Sequence, residues 1–204
     1  LAAIMFTDIE GYTALMEKNE LAAMECRNRH REVFQKTMAE HAGKVIHYYG
    51  DGTLSIFTSA IHAVKAAIAM QKVFCEPPQV PLRIGIHIGD IAIDDSGVYG
   101  DGVNLASRVE SLAVVGSVFI SDKVVDEIKN QPQINIRSMG LFDLKNVSRP
   151  VEIFAIANEG LTVPHRADLK GKTTEPKNKL AVLPFVNMSN DADNEYFSDG
   201  IAEE

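Results

Sequence analysis

Two aspartates lie where the sequence predicts strands to end. Asp8 stands in the segment FTDIEGYT, residues 6–13, in which an apolar run meets a glycine turn that opens a helix. Asp51 stands in YYGDG, residues 48–52, and Asp-Gly between two β-rich runs is a strong hairpin signal. Carboxylate oxygens are ligands that Mg²⁺ prefers. If the hairpin lies beside the first strand, the two carboxylates can share a pair of metal ions, an arrangement that serves phosphoryl transfer.

Each aspartate also has a purely structural interpretation. Asp8 could flank a helix start, where carboxylates are common, and Asp51 could serve only the chemistry of a hairpin turn. The turn after Asp8 adds a second feature, because the leading amides of a helix lack partners inside it and sit at its positive end. We therefore expect Gly11, Tyr12 and Thr13 to present backbone N–H groups to an anion, most naturally a phosphate.

A third segment, YGDGVNLASR at residues 99–108, predicts a helix with polar groups on one face. Asn104 and Arg108 are four residues apart, so they project from the same side and can reach one ligand. Lys145 follows a β-rich run in LKNV, residues 144–147. The alternative for all three is an ordinary solvated side chain, which is the commoner situation for such residues.

The elements that must position these residues alternate between strands and helices. Strands are predicted at residues 3–9, 45–49, 53–58, 82–93 (one strand or a pair), 118–121, 134–144 and 151–156. Helices are predicted at residues 13–16, 21–41, from Ser59 onward, 101–113 and 122–129, with Gly43 as the left-handed residue that ends the second helix. Local hairpins mixed with helices predict an α+β sandwich.

Composition excludes several classes of protein. The 204 residues include 20 basic and 28 acidic side chains, for a net charge of −8, and no basic stripe forms, so neither nucleic acid nor a membrane surface is an expected partner. The longest apolar stretches fall short of the roughly 18 residues that span a bilayer. Cys26 and Cys75 stand in no metal-ligand spacing, and we expect a soluble protein of the reducing cytoplasm. Because the chain begins with Leu1 rather than Met, we expect it to be a piece of a longer protein.

The composition changes near residue 158. Residues 1–158 are predicted to form one domain, and residues 159–179 a linker, since they combine prolines and glycines with few large apolar side chains. Residues 180–204 begin with the strand-like run LAVLPFV but are too few to form a second core. We therefore predict that they are the start of a further domain.

Taken together, residues 1–158 resemble the catalytic domain of the class III nucleotidyl cyclases, which include adenylyl and guanylyl cyclases. The resemblance rests on the four segments around Asp8, Asp51, Asn104 to Arg108, and Lys145, in the family's order. It implies a ferredoxin-like βαββαβ sandwich with additional strands and helices. It also implies a homodimer whose active sites form across the interface between two catalytic domains.

The resemblance assigns roles to individual residues. Asp8 and Asp51 match the aspartates that bind two Mg²⁺ or Mn²⁺ ions, with the Ile9 carbonyl as an additional ligand. Asn104 and Arg108 match the helix residues that orient the ribose and stabilise the transition state. Lys145 matches the lysine that binds the terminal phosphates. In such a dimer the partner subunit supplies its copies of Asn104, Arg108 and Lys145 to each site, so a monomer would hold half a site.

The choice of base is where the sequence departs from the family. Adenylyl cyclases typically have Lys, and guanylyl cyclases Glu, at the position of His47. The second base-reading position falls on Gly97, which has no side chain to offer, so Ser96, or Asp94 and Asp95 in the same loop, would have to substitute. The motifs as a whole resemble those of bacterial adenylate cyclases, which favours ATP as the substrate.

Four alternatives remain open from the sequence. The first is a guanylate cyclase, and the second is a cyclase-like module that binds nucleotide or a partner domain without turnover. A diguanylate cyclase is disfavoured, because the hairpin lacks the Gly-Gly-Asp/Glu-Glu-Phe tip of that family. In the fourth, His47 is simply a solvent-facing strand residue.

The tail carries a second resemblance. Residues 179–189, KLAVLPFVNMS, and 195–201, EYFSDGI, resemble the opening of a TolB-like segment that follows the cyclase domain in many bacterial chains. Tetratricopeptide repeats often come next in such chains. The resemblance therefore implies a longer protein with possible protein partners bound through C-terminal repeats.

Overall fold

The computed structural model describes residues 1–94 and 97–169 of the 204-residue chain. The helices are α1 Tyr12–Lys18, α2 Glu20–Glu40, α3 Ala60–Phe74, α4 Asp101–Leu112 and α5 Asp122–Ile128, with a 3₁₀ turn at Arg166–Asp168. The strands are β1 Ala2–Ile9, β2 Lys44–Tyr49, β3 Gly52–Phe57, β4 Leu82–Gly89, β5 Ala92–Asp94, β6 Gly97–Tyr99, β7 Val118–Ser121, β8 Ile136–Phe142 and β9 Val151–Ile156.

Seven strands form one mixed sheet in the order β2-β3-β1-β4-β7-β9-β8. Neighbouring strands are antiparallel except β4 and β7, which run parallel, and β5 and β6 form a separate two-stranded ribbon. The combination of this sheet with five helices confirms the predicted α+β sandwich. Among the described residues, no helix has the length and apolar character that a bilayer span requires.

One face of the sheet holds the largest apolar core. Side chains alternate between the faces of a strand, so Ala3 and Met5 of β1 pack with Phe34 of α2 and with α3 on this side. Thr7 is a polar member of the same face, and its hydroxyl lies 2.7 Å from the Thr53 hydroxyl. This layer fixes β1 and β3 side by side, which is the arrangement that the predicted hairpin requires.

Helix α4 covers part of the other face and approaches β4 through glycines. A Cβ atom at Gly85 would lie 2.1 Å from the backbone nitrogen of Glu110, and one at Gly89 would lie 2.6 Å from the Cα of Gly102. Real Cβ atoms do not come this close to backbone, so a larger residue at either position would push the helix away. The glycines therefore set the depth at which α4 sits on the sheet.

The end of α2 differs from the prediction. The residue with positive φ is Ala42, at 55°, rather than Gly43. Gly43 is the next residue of a Schellman motif, and its N–H donates to the Met38 carbonyl at 2.9 Å. Glycine is needed there for a different reason, because a Cβ would lie 2.6 Å from the Phe57 ring and 2.7 Å from the Met38 sulfur.

Residues 82–93 form two strands, β4 and β5, which is one of the two arrangements predicted for this stretch. The ribbon partner of β5, strand β6, had no counterpart in the prediction. Residues 159–169 pack on the domain rather than leaving it as the linker expected there. Leu169 is buried in a cluster with Phe142, and the Arg166 guanidinium donates to the Met139 and Leu141 carbonyls at 3.0 and 3.1 Å. The predicted TolB-like start at residues 180–204 lies outside the described residues.

Candidate active site

The structure brings Asp8 and Asp51 to the same end of the sheet. Strands β1 and β3 are antiparallel neighbours, and Thr7 pairs with Thr53, so Asp8 lies beside the turn that connects β2 to β3. The absence of a side chain at Gly52 allows this close approach, because a Cβ there would lie 2.8 Å from the Thr7 carbonyl oxygen and 3.7 Å from Asp8 Oδ1. The hairpin tip that carries Asp51 is therefore held against the end of β1.

The electrostatics of this pair suit a bound cation. Burial raises the pKa of Asp51, and the neighbouring charge of Asp8 raises it further, against the lowering effects of a backbone hydrogen bond and of Arg83. Two half-buried carboxylates that repel each other are stabilised by a hard cation between or beside them. The Ile9 side chain is a buried hydrocarbon without a ligand atom, so Ile9 could contribute only its backbone carbonyl.

The described residues contain no group of three or more His, Cys, Asp or Glu side chains that could hold a metal ion. Two carboxylates and a carbonyl match a Mg²⁺ ion that completes its shell with phosphate and water, since Mg²⁺ is usually bound by one or two carboxylates plus the substrate. A cation at Asp8 and Asp51 would therefore take its remaining ligands from water or from the phosphates of a nucleotide.

Arg83 is a member of this site that the sequence analysis missed. It lies on β4 directly opposite Asp8, and its Nη2 donates to Asp8 Oδ2. Its Nε lies 3.3 Å from Glu110 Oε1 on α4. Burial opposes the charge of Arg83, but the hydrogen bond to Asp8 and the fields of both carboxylates outweigh it and raise its pKa above the ordinary value. The available signal was a charged residue inside the apolar strand LRIGIHIG, residues 82–89.

Asn104, Arg108 and Lys145 line a separate cleft. It has a volume of about 340 Å³ and lies between α4 and the loop from β8 to β9. The structure thus brings together all three residues that the resemblance assigns to the ribose and the phosphates. Neither Asp8 nor Asp51 lines this cleft.

The loop that carries Lys145 is fixed at both sides of the lysine. Leu144 is buried in the cluster beneath α4, and Asn146 adopts a left-handed conformation with φ of 64°. The Val147 N–H donates to the Leu144 carbonyl at 3.0 Å and closes the turn. Lys145 is consequently exposed at the tip of a tight turn beside the cleft.

Helix geometry separates the two groups of residues within one chain. Glu110 lies on the buried face of α4 and contacts Arg83, which in turn contacts Asp8. Arg108 precedes Glu110 by two residues, which is about 200° of rotation around a helix, and it is exposed. Arg108 therefore projects away from the Arg83–Asp8 pair of its own chain.

The remaining predicted residues lie around these two groups. His47 is exposed on β2, and its ring centroid lies 4.4 Å from that of Tyr49. Gly11 precedes α1 with φ of 76°, and no side chain caps that helix, so the amides of Tyr12 and Thr13 begin it. The Tyr12 hydroxyl is buried, so this residue can offer a ligand its backbone only. The side chains of Asp94, Asp95 and Ser96 lie outside the described part of the chain.

Fold and site together define a nucleotide cyclase domain, and the comparison with protein families agrees. Residues 2–158 match the family described as "Adenylate and Guanylate cyclase catalytic domain". The chain belongs to this family. The match covers almost the same residues as the domain predicted at 1–158.

Several named proteins are similar to this chain. "Putative adenylate cyclase 3" of Rhizobium meliloti (strain 1021) is 37% identical over 214 residues, covering 100% of this chain and 36% of that protein. An "Adenylate cyclase" of Anabaena cylindrica is 28% identical, covering 66% of this chain and 32% of that protein. The chain thus spans about a third of the length of these relatives.

Solved structures share the fold. The adenylyl cyclase CyaB from P. aeruginosa is 28% identical with a TM-score of 0.68, over 77% of this chain and 93% of that chain. An "Adenylate/Guanylate Cyclase/Hydrolase" from Silicibacter pomeroyi is 31% identical with a TM-score of 0.70, over 76% of this chain and 95% of that one.

Proposed function

We propose that this chain is the catalytic domain of an adenylate cyclase that converts ATP to 3′,5′-cyclic AMP and pyrophosphate in a homodimer. In this reaction the 3′-hydroxyl loses its proton, and its oxygen attacks the α-phosphorus of the same nucleotide. The bond from that phosphorus to the bridging oxygen breaks, and pyrophosphate leaves. Membership of the cyclase family supports the reaction class, and the names of the relatives favour ATP.

One observation carries the proposal of a shared site. The acids at the end of β1 and the cleft of Asn104, Arg108 and Lys145 lie on different parts of one chain, with Arg108 and Glu110 on opposite sides of α4. A second copy that docks its cleft over these acids would complete both sites by symmetry. Phe6, Ile46 and Ile56 on that face of the sheet are only partly buried, which is consistent with an interface.

Asp8, Asp51 and the Ile9 carbonyl are the groups that would hold Mg²⁺ or Mn²⁺, two ions per site. When bound there, divalent cations lower the pKa of the 3′-hydroxyl and neutralise the triphosphate. Arg83, opposite Asp8, adds a permanent positive charge at the same end of the sheet. We assign it to the phosphate side of the substrate for that reason.

The partner's cleft would act on the other parts of the nucleotide. Arg108 would meet the charge that develops at the α-phosphoryl oxygens, because a guanidinium presents several fixed donors. Asn104, one turn earlier on α4, would orient the ribose, and Lys145 would bind the terminal phosphates. The backbone amides of Tyr12 and Thr13 would face the phosphate chain at the start of α1.

Attraction of the substrate must come from these local groups. The chain carries a net charge of −8, so its overall field repels a nucleoside triphosphate. The cations, Arg83, Arg108 and Lys145 reverse this repulsion within the site. Turnover should therefore require a divalent cation.

A guanylate cyclase is the second candidate, and His47 is the observation that keeps it open. A neutral imidazole has one donor and one acceptor nitrogen, so His47 could serve either base. A module without turnover is the third candidate, motivated by the departures at His47 and Gly97 from the family's base-reading residues.

The deciding experiment incubates the purified chain with MnATP and, separately, with MnGTP, and identifies products by chromatography. Cyclic AMP as the main product supports the proposal, and cyclic GMP as the main product replaces it with the second candidate. Saturable nucleotide binding with no cyclic product would favour the third. Asp8→Asn prepared in parallel should give no product, which excludes a contaminating cyclase.

The rest of the protein is a matter of proposal as well. We infer a cytoplasmic location and a TolB-like segment that begins near residue 180, with protein partners bound through later repeats. Activity and oligomeric state identical with and without the additional C-terminal sequence would remove the support for regulation from that side.

A further inference from the structure

We propose that Glu110 is a positioning residue that holds Arg83 ready to leave Asp8, so that a divalent cation can take its place. This inference rests on the cation site of the proposed function. It concerns three side chains that the described structure places in one row, namely Asp8 on β1, Arg83 on β4 and Glu110 on α4.

The row is partly shielded from water. The side chains are 29%, 23% and 10% exposed for Asp8, Arg83 and Glu110, in that order. Arg83 uses different nitrogens for its two neighbours, with Nη2 on Asp8 and Nε 3.3 Å from Glu110 Oε1. The two contacts are therefore compatible with each other, and the guanidinium can lose one while it keeps the other.

Charge balance gives Glu110 its role. An arginine stays protonated in proteins, so Arg83 remains positive when a cation binds Asp8. Two positive groups on one carboxylate repel each other, and an arginine left without a partner in a half-buried site is costly. Glu110 removes that cost because it offers Arg83 a second carboxylate within ion-pair distance.

The fold keeps Glu110 within reach of Arg83. Helix α4 lies so close to β4 at Gly85 that a Cβ there would overlap the Glu110 backbone. Gly85 and Arg83 are two residues apart on the strand and face the same side. The same close packing therefore brings the Glu110 carboxylate to the Arg83 side chain, in an environment where only a paired charge is tolerated.

Without a cation, Arg83 neutralises Asp8 and limits its repulsion of Asp51. With a cation, Arg83 is held by Glu110 and stays beside the site, where its charge can act on phosphate. If Glu110 were neutral, Arg83 would have Asp8 as its remaining carboxylate partner in the row. The exchange would then be harder, and the cation would bind more weakly.

The test measures Mn²⁺ affinity of the whole chain without nucleotide, by the electron paramagnetic resonance signal of the unbound ion. Glu110→Gln should weaken Mn²⁺ binding about two- to fivefold, the range of one partly exposed ion pair. Arg83→Met should tighten binding, because it removes the competing cation. In the Arg83→Met background, Glu110→Gln should have little further effect. Glu127→Gln on α5, near the opposite end of β1, makes the same charge change and should leave the affinity unaltered.

Two results would overturn the inference. One is wild-type Mn²⁺ affinity in folded Glu110→Gln. The other is an equal loss from Glu110→Gln with and without Arg83, because Glu110 would then act on the cation directly. Circular dichroism checks folding, and tightening by Arg83→Met gives a reading that does not depend on the Glu110 variant. A chain that binds Mn²⁺ as expected but forms no cyclic product would refute the proposed function while leaving the positioning role intact.

Discussion

His47 lies directly opposite Leu54 in the ladder between β2 and β3, one position away from where a regular ladder would put it. Val45 pairs with Ser55, so regular pairing would bring His47 opposite Thr53. The ladder shifts between Val45 and His47, which is the signature of a β-bulge.

The shift decides which side of the sheet His47 occupies. Thr53 belongs to the face covered by α2 and α3, whereas Leu54 packs with Ala106 of α4. Directly opposite residues share a face, so the bulge moves His47 to the α4 side. There it contacts Tyr49, which stacks on Phe6 at 6.4 Å between ring centroids.

Changing His47 should change base preference. We expect His47→Lys to raise the ratio of ATP to GTP turnover and His47→Glu to lower it, by about tenfold or more, because Lys only donates hydrogen bonds and ionised Glu only accepts them, so each suits a different base edge. The measurement is kcat/KM with each nucleotide. His62→Lys, exposed on α3, is the matched control. Unchanged ratios in both His47 variants would show that this residue does not read the base.

Asp51→Ala should abolish turnover while the fold is kept. The substitution removes a carboxylate that faces Asp8, so cation binding should weaken as well. Product formation and Mn²⁺ affinity are the readouts, with Asp126→Ala on the exposed side of α5 as control. Wild-type turnover by Asp51→Ala would remove this residue from the site.

Arg108→Ala should lower kcat by about 10² to 10³, the usual cost of losing one preorganised donor to the transition state. Dimerisation should be largely preserved, and it is measured by analytical ultracentrifugation. Arg137→Ala on the exposed part of β8 is the control for loss of an arginine. A decrease of less than threefold would contradict the assignment.

Mixing Asp51→Ala chains with Arg108→Ala chains should restore activity. Each heterodimer then has one site with intact acids from one subunit and an intact cleft from the other, and chance pairing of equal amounts makes about half of all dimers heterodimers. The readout is product formation as a function of mixing ratio. A verified heterodimer with no activity would speak against shared sites.

Stability should decrease in acid because two histidines are buried. Burial, with a contribution from Arg31, lowers the pKa of His30 to about 4, and burial with Lys123 lowers that of His87 to about 4. In the unfolded chain both histidines bind protons with a pKa near the ordinary value of 6.5. The free energy of unfolding therefore decreases as pH falls from about 6.5 to about 4. Each unit of lowered pKa corresponds to about 1.4 kcal/mol.

Urea unfolding across this pH range measures the effect. His87→Gln should flatten the pH dependence, since its titration is removed while a polar side chain remains near Ser121, the hydroxyl that lies 2.7 Å from His87 Nδ1. A stability that does not change between neutral pH and about pH 5 would contradict the buried, neutral state of both rings.

Much of the fold and half of the site follow from local sequence. The hairpin around Asp51 comes from Asp-Gly between β-rich runs, and the common face of Asn104 and Arg108 comes from their spacing on a helix. These features depend on neighbours within a few residues. Short-range chemistry is therefore enough to predict them.

Other features were decided by tertiary structure alone. Arg83 and Glu110 are 27 residues apart, and their contact exists because β4 pairs with β1 while glycines let α4 lie close to the sheet. Arg166 lies in a stretch whose composition predicts a linker, yet it binds carbonyls of β8. Composition and periodicity describe what a segment can bury, but register and helix docking determine which distant groups it meets. In this protein those long-range contacts set the surroundings of Asp8 and the face on which His47 lies.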